Sequence, residues 1–279
     1  MPTTLRHAID HNRGLPWPLP WLHAGAVPLV NASRWLRRPR YRHTVLPLVL
    51  GALVAAILFP FDGWLGGAID GLDGSREGVG RLLGGDVLKE LNALQQFGGI
   101  SSVVLVGLLI GLLDPRKLDR LWDLAAAVIT TSISVLAAKM MFGRPRPRFD
   151  EPGLIVGPFG AYPLGPGEGV HYAWAFWEDI SSDLWSMPSS HTSGAVALAV
   201  FLAVCYPRLK WLVVGWVAVV GFTRVLVGAH WPSDIAMGAG IGYAVSHAAV
   251  TRGWGRAVGT RLGLRSTRER EPAGGSTNG

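Results

Sequence analysis

The chain contains a single cysteine, Cys205, among 279 residues, so no intramolecular disulfide can form. Charge is scarce too. Asp, Glu, Lys and Arg make up 16% of the sequence against 49% hydrophobic residues, with a mean hydropathy of +0.30. That balance excludes an ordinary water-soluble domain and points to a membrane protein. No long apolar run begins before about Thr44, so a cleavable signal peptide is not expected. Acids are outnumbered by bases, 19 to 26, giving a net charge of +7. The arginines gather in the flanks and loops of apolar segments. Anionic lipid headgroups in the bilayer are therefore the expected partner, and nucleic acid is not. What the chain has in abundance is Trp, with 12, and Gly, with 37. The first favours membrane boundaries, and the second is commoner in spanning helices than in soluble ones.

An apolar helix needs about 20 residues to cross a bilayer. Six segments approach that length: Thr44–Phe61, Leu94–Leu113, Leu121–Phe142, Thr192–Tyr206, Trp211–Gly228 and Ser233–Val250. The expected fold is an all-α, polytopic six-helix bundle with an extracytoplasmic loop between the third and fourth helices. The membrane domain is expected over residues 44–250. Residues 1–43, rich in Pro, Trp and Arg, read as a cytosolic or interfacial arm, and residues 251–279 as a disordered cytosolic tail. Small residues in "MGAGIGYA" let the last helix approach a neighbour closely. The amphipathic run "DVLKELNALQQF" is expected to lie at the interface.

Lys and Arg concentrate in the arm, "DPRKLDR", "PRLK" and the tail, which assigns that side and both termini to the cytosol. Acids dominate the other side. "KMMFGRPRPRFD" places Lys139, Arg144, Arg146 and Arg148 there, against the topological preference, so something other than topology has to account for them.

Three polar stretches fall at this outer end. The first carries Lys139 and Arg146. The second, "MPSSHTSG", carries Ser189, Ser190 and His191. The third, "TRVLVGAHWPSD", carries Arg224, His230 and Asp234. These residue types suit phosphoryl transfer. Lys and Arg neutralise charge on the non-bridging oxygens, and the arginine fork matches two oxygens at once. Ser190 offers a hydroxyl, and the N-terminus of the fourth helix offers backbone N–H groups to an anion. One histidine, neutral, suits attack on phosphorus; the other, protonated, suits donation to the departing oxygen. Asp234, four residues after His230, is spaced to orient its imidazole.

At these residues the chain resembles the type 2 phosphatidic acid phosphatase family. The family pattern is Lys, six residues, Arg-Pro; then Pro-Ser-Gly-His; then Ser-Arg, five residues, His, three residues, Asp. Here it reads Lys139 to Arg146-Pro147, Pro188-Ser189-Ser190-His191, and Thr223-Arg224 to His230 to Asp234. The resemblance implies that His230 is the nucleophile of a phosphohistidine intermediate, Asp234 its orienter and His191 the acid. It implies that Lys139, Arg146, Ser189, Ser190 and Arg224 hold the phosphate, with no metal and no cofactor. The implied activity is hydrolysis of a phosphate or pyrophosphate on a lipid: undecaprenyl pyrophosphate, phosphatidylglycerol phosphate or phosphatidic acid. Ser190 stands where glycine is common and Thr223 where serine is, changes expected to tune activity.

Blander readings compete. Arg144 and Arg148 lie outside the motif and read equally well as interfacial snorkelling residues. Arg224, several residues inside an apolar run, calls for a partner. Asp123 suits the dipole of its own helix start. Tyr172, Trp174, Phe176, Trp177 and Trp185 read as an interfacial belt or lid. Two other functions share the motifs, a lipid phosphotransferase and a non-catalytic phospholipid-binding membrane protein.

Overall fold

A computed structural model of the chain describes residues 39–70, 89–91, 93–165, 169–177 and 179–263. The chain divides into two units, Met1–Arg42 and His43–Gly279. The described part of the first is one helical turn, Pro39–Arg42. The rest of the expected N-terminal arm lies outside the described residues.

The second unit is mostly helical. Helix α1 (Val45–Leu58) runs through a 3-10 turn, Phe59–Phe61, into α2 (Asp62–Asp70). Then come α3 (Ile100–Leu113), α4 (Leu121–Phe142), α5 (Ser190–Cys205), α6 (Lys210–Leu226), α7 (Pro232–Arg252) and α8 (Trp254–Arg261). Between α4 and α5 the chain forms an antiparallel hairpin, β1 (Ala161–Gly165) and β2 (Gly169–Tyr172), with Tyr162 paired to His171.

Val45–Ala68, Pro115–Phe142 and Pro207–Leu226 are long and apolar enough to cross a membrane. Lys89–Gly98 and Ile100–Leu113 pass the same test only together, as a pair bent by 67° that is either a broken span or a re-entrant loop. Their outward faces are apolar: Leu112 and Leu113 are each 79% exposed and Trp211 76%, a surface suited to lipid rather than water. The chain is a multi-pass membrane protein. Helices α5 and α7 are respectively shorter and less apolar, and their environment explains it. Each packs against neighbours along its length, so Ala, Gly and Ser suffice where a lipid-facing helix needs Leu and Val.

Helix α7 is the hub, packed against α1, α4 and α5. Small residues permit this. A Cβ on Gly240 would sit 2.9 Å from the Gly51 Cα of α1, and one on Gly242 would sit 2.8 Å from the Ser193 oxygen of α5. The apolar core, around Leu124, Leu198, Phe201, Val213 and Val250, fills the half of the bundle where α4 begins and α5 and α7 end.

At that same end Asp123 does more than face its helix dipole. It is fully buried and accepts from the Arg256 backbone N–H at 3.1 Å and from Arg256 Nε at 2.7 Å, docking α8. The expected tail from residue 251 is therefore helical through Arg261. Gly255, lying against the Trp122 backbone, lets α8 approach where a side chain would be blocked. Residues 264–279 lie outside the described residues.

Because the α1–α7 contact is backbone on backbone, Gly240→Ala is expected to cost about 1–3 kcal/mol by overpacking. Thermal unfolding in detergent should show a lower midpoint; an unchanged one would mean the two helices yield.

Candidate active site

At the opposite end of the bundle, α4 and α6 terminate, α5 and α7 begin, and α1 passes into α2. Each of these ends has a local cause. Helix α4 stops at Gly143, whose φ of +57° lies in the left-handed region that glycine adopts without penalty. Ser189 starts α5, its Oγ accepting from the Thr192 N–H at 3.4 Å. Pro232 occupies the first turn of α7, and Asp234, three residues past Trp231, accepts from the Trp231 N–H at 2.9 Å.

The third motif is bound into a tight turn. The Arg224 carbonyl accepts from the Ala229 N–H at 3.1 Å and the His230 N–H at 3.2 Å. This places His230, only 2% exposed, over the start of α7. Its Nδ1 lies 3.6 Å from Asp234 Oδ2, beyond hydrogen-bond range but in direct electrostatic contact. Burial pushes the His230 imidazole below its ordinary value, against an upward pull from Asp234.

The Asp234 carboxylate is held from several sides. Oδ2 accepts from Ser186 Oγ at 2.5 Å as well as from Trp231, and Oδ1 accepts from Arg144 at 2.7 Å. Main chain adds to this: the Ser189 N–H donates to the Asp234 carbonyl at 3.1 Å, tying the second motif to the third.

The cations gather around this pair. Lys139, 5% exposed in the last turn of α4, donates to the Trp185 carbonyl. Arg146 donates through Nε to the Ser182 carbonyl at 2.8 Å and reaches the Ala229 carbonyl at 3.5 Å, beside His230. Arg224 donates to Gln95 Oε1 at 2.7 Å, while its buried Nε has no hydrogen-bond partner among the described residues. Lys139, Arg146 and Arg224 all lie close enough to His191 for their charges to act on its ring. His191 is half-buried in the first turn of α5, and Ser190 beside it is exposed.

One expected ligand group, Ser189, and the hydroxyl of Thr223 are occupied elsewhere. Ser189 is fully buried, and its hydroxyl also accepts from Thr192 Oγ1 at 3.1 Å, so it serves the helix start rather than a ligand. Thr223 donates back to the Val219 carbonyl at 2.8 Å within its own helix. Of the remaining predicted residues, Lys139, Arg146 and Arg224 lie near His191, and Lys139, Arg224 and Asp234 lie near His230.

Sequence reasoning missed several contributors. Arg144 is no snorkelling residue: it is fully buried, with Nη1 on Ser233 and Asp234 and Nη2 on Asp62 and the Pro152 carbonyl. Arg148, in contrast, is largely exposed and pairs with Asp183 at the surface. Trp185 leaves the aromatic belt, since its carbonyl receives Lys139 and its indole N–H donates to the Ala173 carbonyl at 2.7 Å. Trp174, Phe176 and Trp177 are exposed and in mutual ring contact. Gln95 sits in the "LQQF" turn beside the start of α5, where a Cβ on Gly98 would meet the His191 carbonyl at 2.1 Å. The one available signal was the charge of Arg144 on the acidic side, which called for a partner without naming it.

Lys139, Arg146 and Arg224, with the N-terminus of α5, form a positively charged cluster around two imidazoles and one fixed carboxylate. Such a cluster is suited to a multiply charged anion. Among the described residues no group of three or more His, Cys, Asp or Glu is placed to hold a metal ion.

Residues 120–257 match the model of the PAP2 superfamily. The lipid A 4'-phosphatase of Bacteroides thetaiotaomicron is 38% identical over 61 residues, 21% of this chain and 27% of that protein. Undecaprenyl-diphosphatase BcrC of Bacillus subtilis is 36% identical over 50 residues, 18% of this chain and 26% of that protein. The chain thus matches about a quarter of the length of each relative. A crystal structure of a PAP2 type phosphatidylglycerolphosphate phosphatase from Bacillus subtilis aligns with a TM-score of 0.49 at 18% identity, over 82% of this chain and 100% of that one. The matched span holds Lys139, Arg146, His191, Arg224, His230 and Asp234, and through it the chain belongs to the PAP2 superfamily, the type 2 phosphatidic acid phosphatases.

Proposed function

We propose that this protein is an integral membrane lipid phosphatase that removes a phosphate or pyrophosphate from a lipid through a phosphohistidine. The observation that carries this reading is the setting of His230: buried, its Nδ1 toward a fixed carboxylate, with Lys139 and Arg224 close enough for their charges to reach its ring. A proton on Nδ1, facing Asp234, leaves the lone pair of Nε2 free for attack.

Phosphorus is attacked by Nε2 while Lys139, Arg146, Arg224 and the first N–H groups of α5 hold the non-bridging oxygens. The new N–P bond forms as the P–O bond to the lipid breaks. His191 supplies the proton that the departing oxygen needs. In the second half, His191, now neutral, takes a proton from water. The resulting hydroxide attacks phosphorus, the N–P bond breaks, and inorganic phosphate leaves. The positive charge that builds on the His230 ring is matched by Asp234.

The polar end of the bundle beside apolar outer faces suits a substrate whose headgroup leaves the lipid while its tails remain in it. Six crossings with both termini cytosolic would put this end on the extracytoplasmic side, following the Lys and Arg distribution. Relatives named for lipid A and undecaprenyl diphosphate favour a bacterial envelope lipid as substrate class.

Two kinds of measurement, release assays and a pH profile, test the reading. Purified protein offered undecaprenyl pyrophosphate, phosphatidylglycerol phosphate, phosphatidic acid and lipid A, with and without EDTA, is expected to release phosphate from at least one, unaffected by chelation. His230→Ala should abolish release without lowering the thermal midpoint, and retained release would sink the mechanism.

The pH profile is the second. Attack needs neutral His230, whose pKa is depressed by burial, so the acid limb of kcat/KM should fall below the ordinary imidazole value of about 6.5. The alkaline limb should report loss of the His191 proton. A rate that stays flat from about pH 4 to 9 contradicts the division between the two histidines.

A further inference from the structure

We infer that Asp62, brought by the junction of α1 and α2 from outside the matched family span, is a positioning residue of the active site acting through Arg144 on Asp234. This inference rests on the phosphatase reading above. The four groups form a line. His230 Nδ1 lies 3.6 Å from Asp234 Oδ2; Asp234 Oδ1 accepts from Arg144 Nη1 at 2.7 Å; Arg144 Nη2 donates to Asp62 Oδ2 at 2.7 Å. Asp62, Arg144 and Asp234 are each 0% exposed. Ser233 closes the loop. Its backbone N–H donates to Asp62 Oδ1 at 3.0 Å, its hydroxyl donates to Asp62 Oδ2, and that hydroxyl accepts from Arg144 Nη1 at 2.6 Å.

Asp62 is thereby bound to the residue just before the carboxylate it is argued to position. The rings of Phe59 and Trp231 flank the guanidinium, with its carbon 4.6 and 5.6 Å from their centroids. Helix α2 packs on the same indole, since a Cβ on Gly66 would fall 2.6 Å from the Trp231 ring.

The charges explain the effect. Arg144 alone would neutralise Asp234 and leave nothing to match a cationic His230. With Asp62 present, the buried trio carries one net negative charge, and Arg144 is shared rather than owned by Asp234. His230 faces Asp234 from α7, Lys139 from α4 and Arg224 from α6. The two cations oppose an imidazolium, so the trio's negative charge is the counterweight. Asp62 touches neither the imidazole nor the cations that would receive phosphate, so it positions and biases rather than reacts.

The test uses full-length protein in detergent with whichever lipid of the panel is hydrolysed fastest. Asp62→Asn should lower kcat about 10–100-fold, the range typical of groups that orient a functional side chain, with KM within about twofold. Removing the negative charge also makes His230 harder to protonate, so the acid limb should move to lower pH. A purely structural role would reduce the active fraction and leave the limb where it was. A folded Asp62→Asn protein with the wild-type limb and kcat overturns the proposal. Should that variant fail to give a monodisperse protein, Ser233→Ala decides: a several-fold lower kcat at unchanged KM supports the link, and wild-type kcat overturns it. His230→Ala run alongside separates the two levels. A dead His230→Ala beside a wild-type-like Asp62→Asn rejects this inference alone; an active His230→Ala rejects the phosphatase mechanism itself.

Discussion

A guanidinium buried away from water needs compensating charge and hydrogen bonds, and Arg144 imposes that demand on the whole end of the bundle that holds His230 and Asp234. Taking one partner from a buried ion pair costs about 3–5 kcal/mol, because the remaining charge is stranded. Here the partners come from three parts of the chain: Asp62 at the α1–α2 junction, Ser233 and Asp234 at the start of α7, and the Pro152 carbonyl of the long loop. Satisfying Arg144 therefore fixes the first helix, the hub helix and the loop against one another. Asp234, and with it His230, inherits that fixity.

The cationic cluster is organised by the helix ends that form it. Helices α4 and α6 finish here, and each carries a cation, Lys139 or Arg224, in its last turn, where the partial negative charge of a helix C-terminus offsets it. Helices α5 and α7 begin here. Asp234 occupies the positive end of α7, whereas the end of α5 carries no acid in its first turn and faces outward beside exposed Ser190. Two cations are thus partly balanced by the helix ends that carry them, while Arg146 is balanced in part by Asp183 and Asp234. Without an anion these like charges repel. That repulsion raises the gain on binding one.

Much of this was legible in the sequence because the chemistry is written locally. Asp234 follows His230 by one helical turn, Arg146 follows Lys139 across a helix end, and Ser190-His191 open a helix; each spacing is short and carries its own meaning. The helical segments were equally legible from apolar run length, although the low hydropathy of α7 reflects protein neighbours that no run length discloses. Long-range partners were not legible. Asp62 and Arg144 are 82 positions apart, and nothing around "FDGWLGG" marks that aspartate as anything but a helix start. The hydroxyls of Ser189 and Thr223 show the converse. Their residue types fit the motif, but each is spent on its own helix, and only the direction of the side chain reveals it.

The placement of the two histidines rests on backbone contacts rather than on side-chain packing, and this bears on how well the site can hold its geometry. Gly98 lies against the His191 carbonyl, Gly194 against the Gly98 carbonyl, and Gly238 of α7 against the Ser189 carbonyl, each where a Cβ would fall within 2.7 Å of an oxygen. Main chain on main chain leaves no rotamer to adjust, so α5 cannot slide relative to α7 without a clash or a gap. Transfer of a proton to a departing oxygen is sensitive to errors of about 1 Å. Two imidazoles framed by close-packed glycine contacts, with Asp234 beside one of them held by Arg144, Ser186 and the Trp231 N–H, would meet that tolerance without help from a substrate. In the proposed reaction a lipid would need only to present its phosphate to these groups, and its tails, with no part in assembling the site, could differ in length and number.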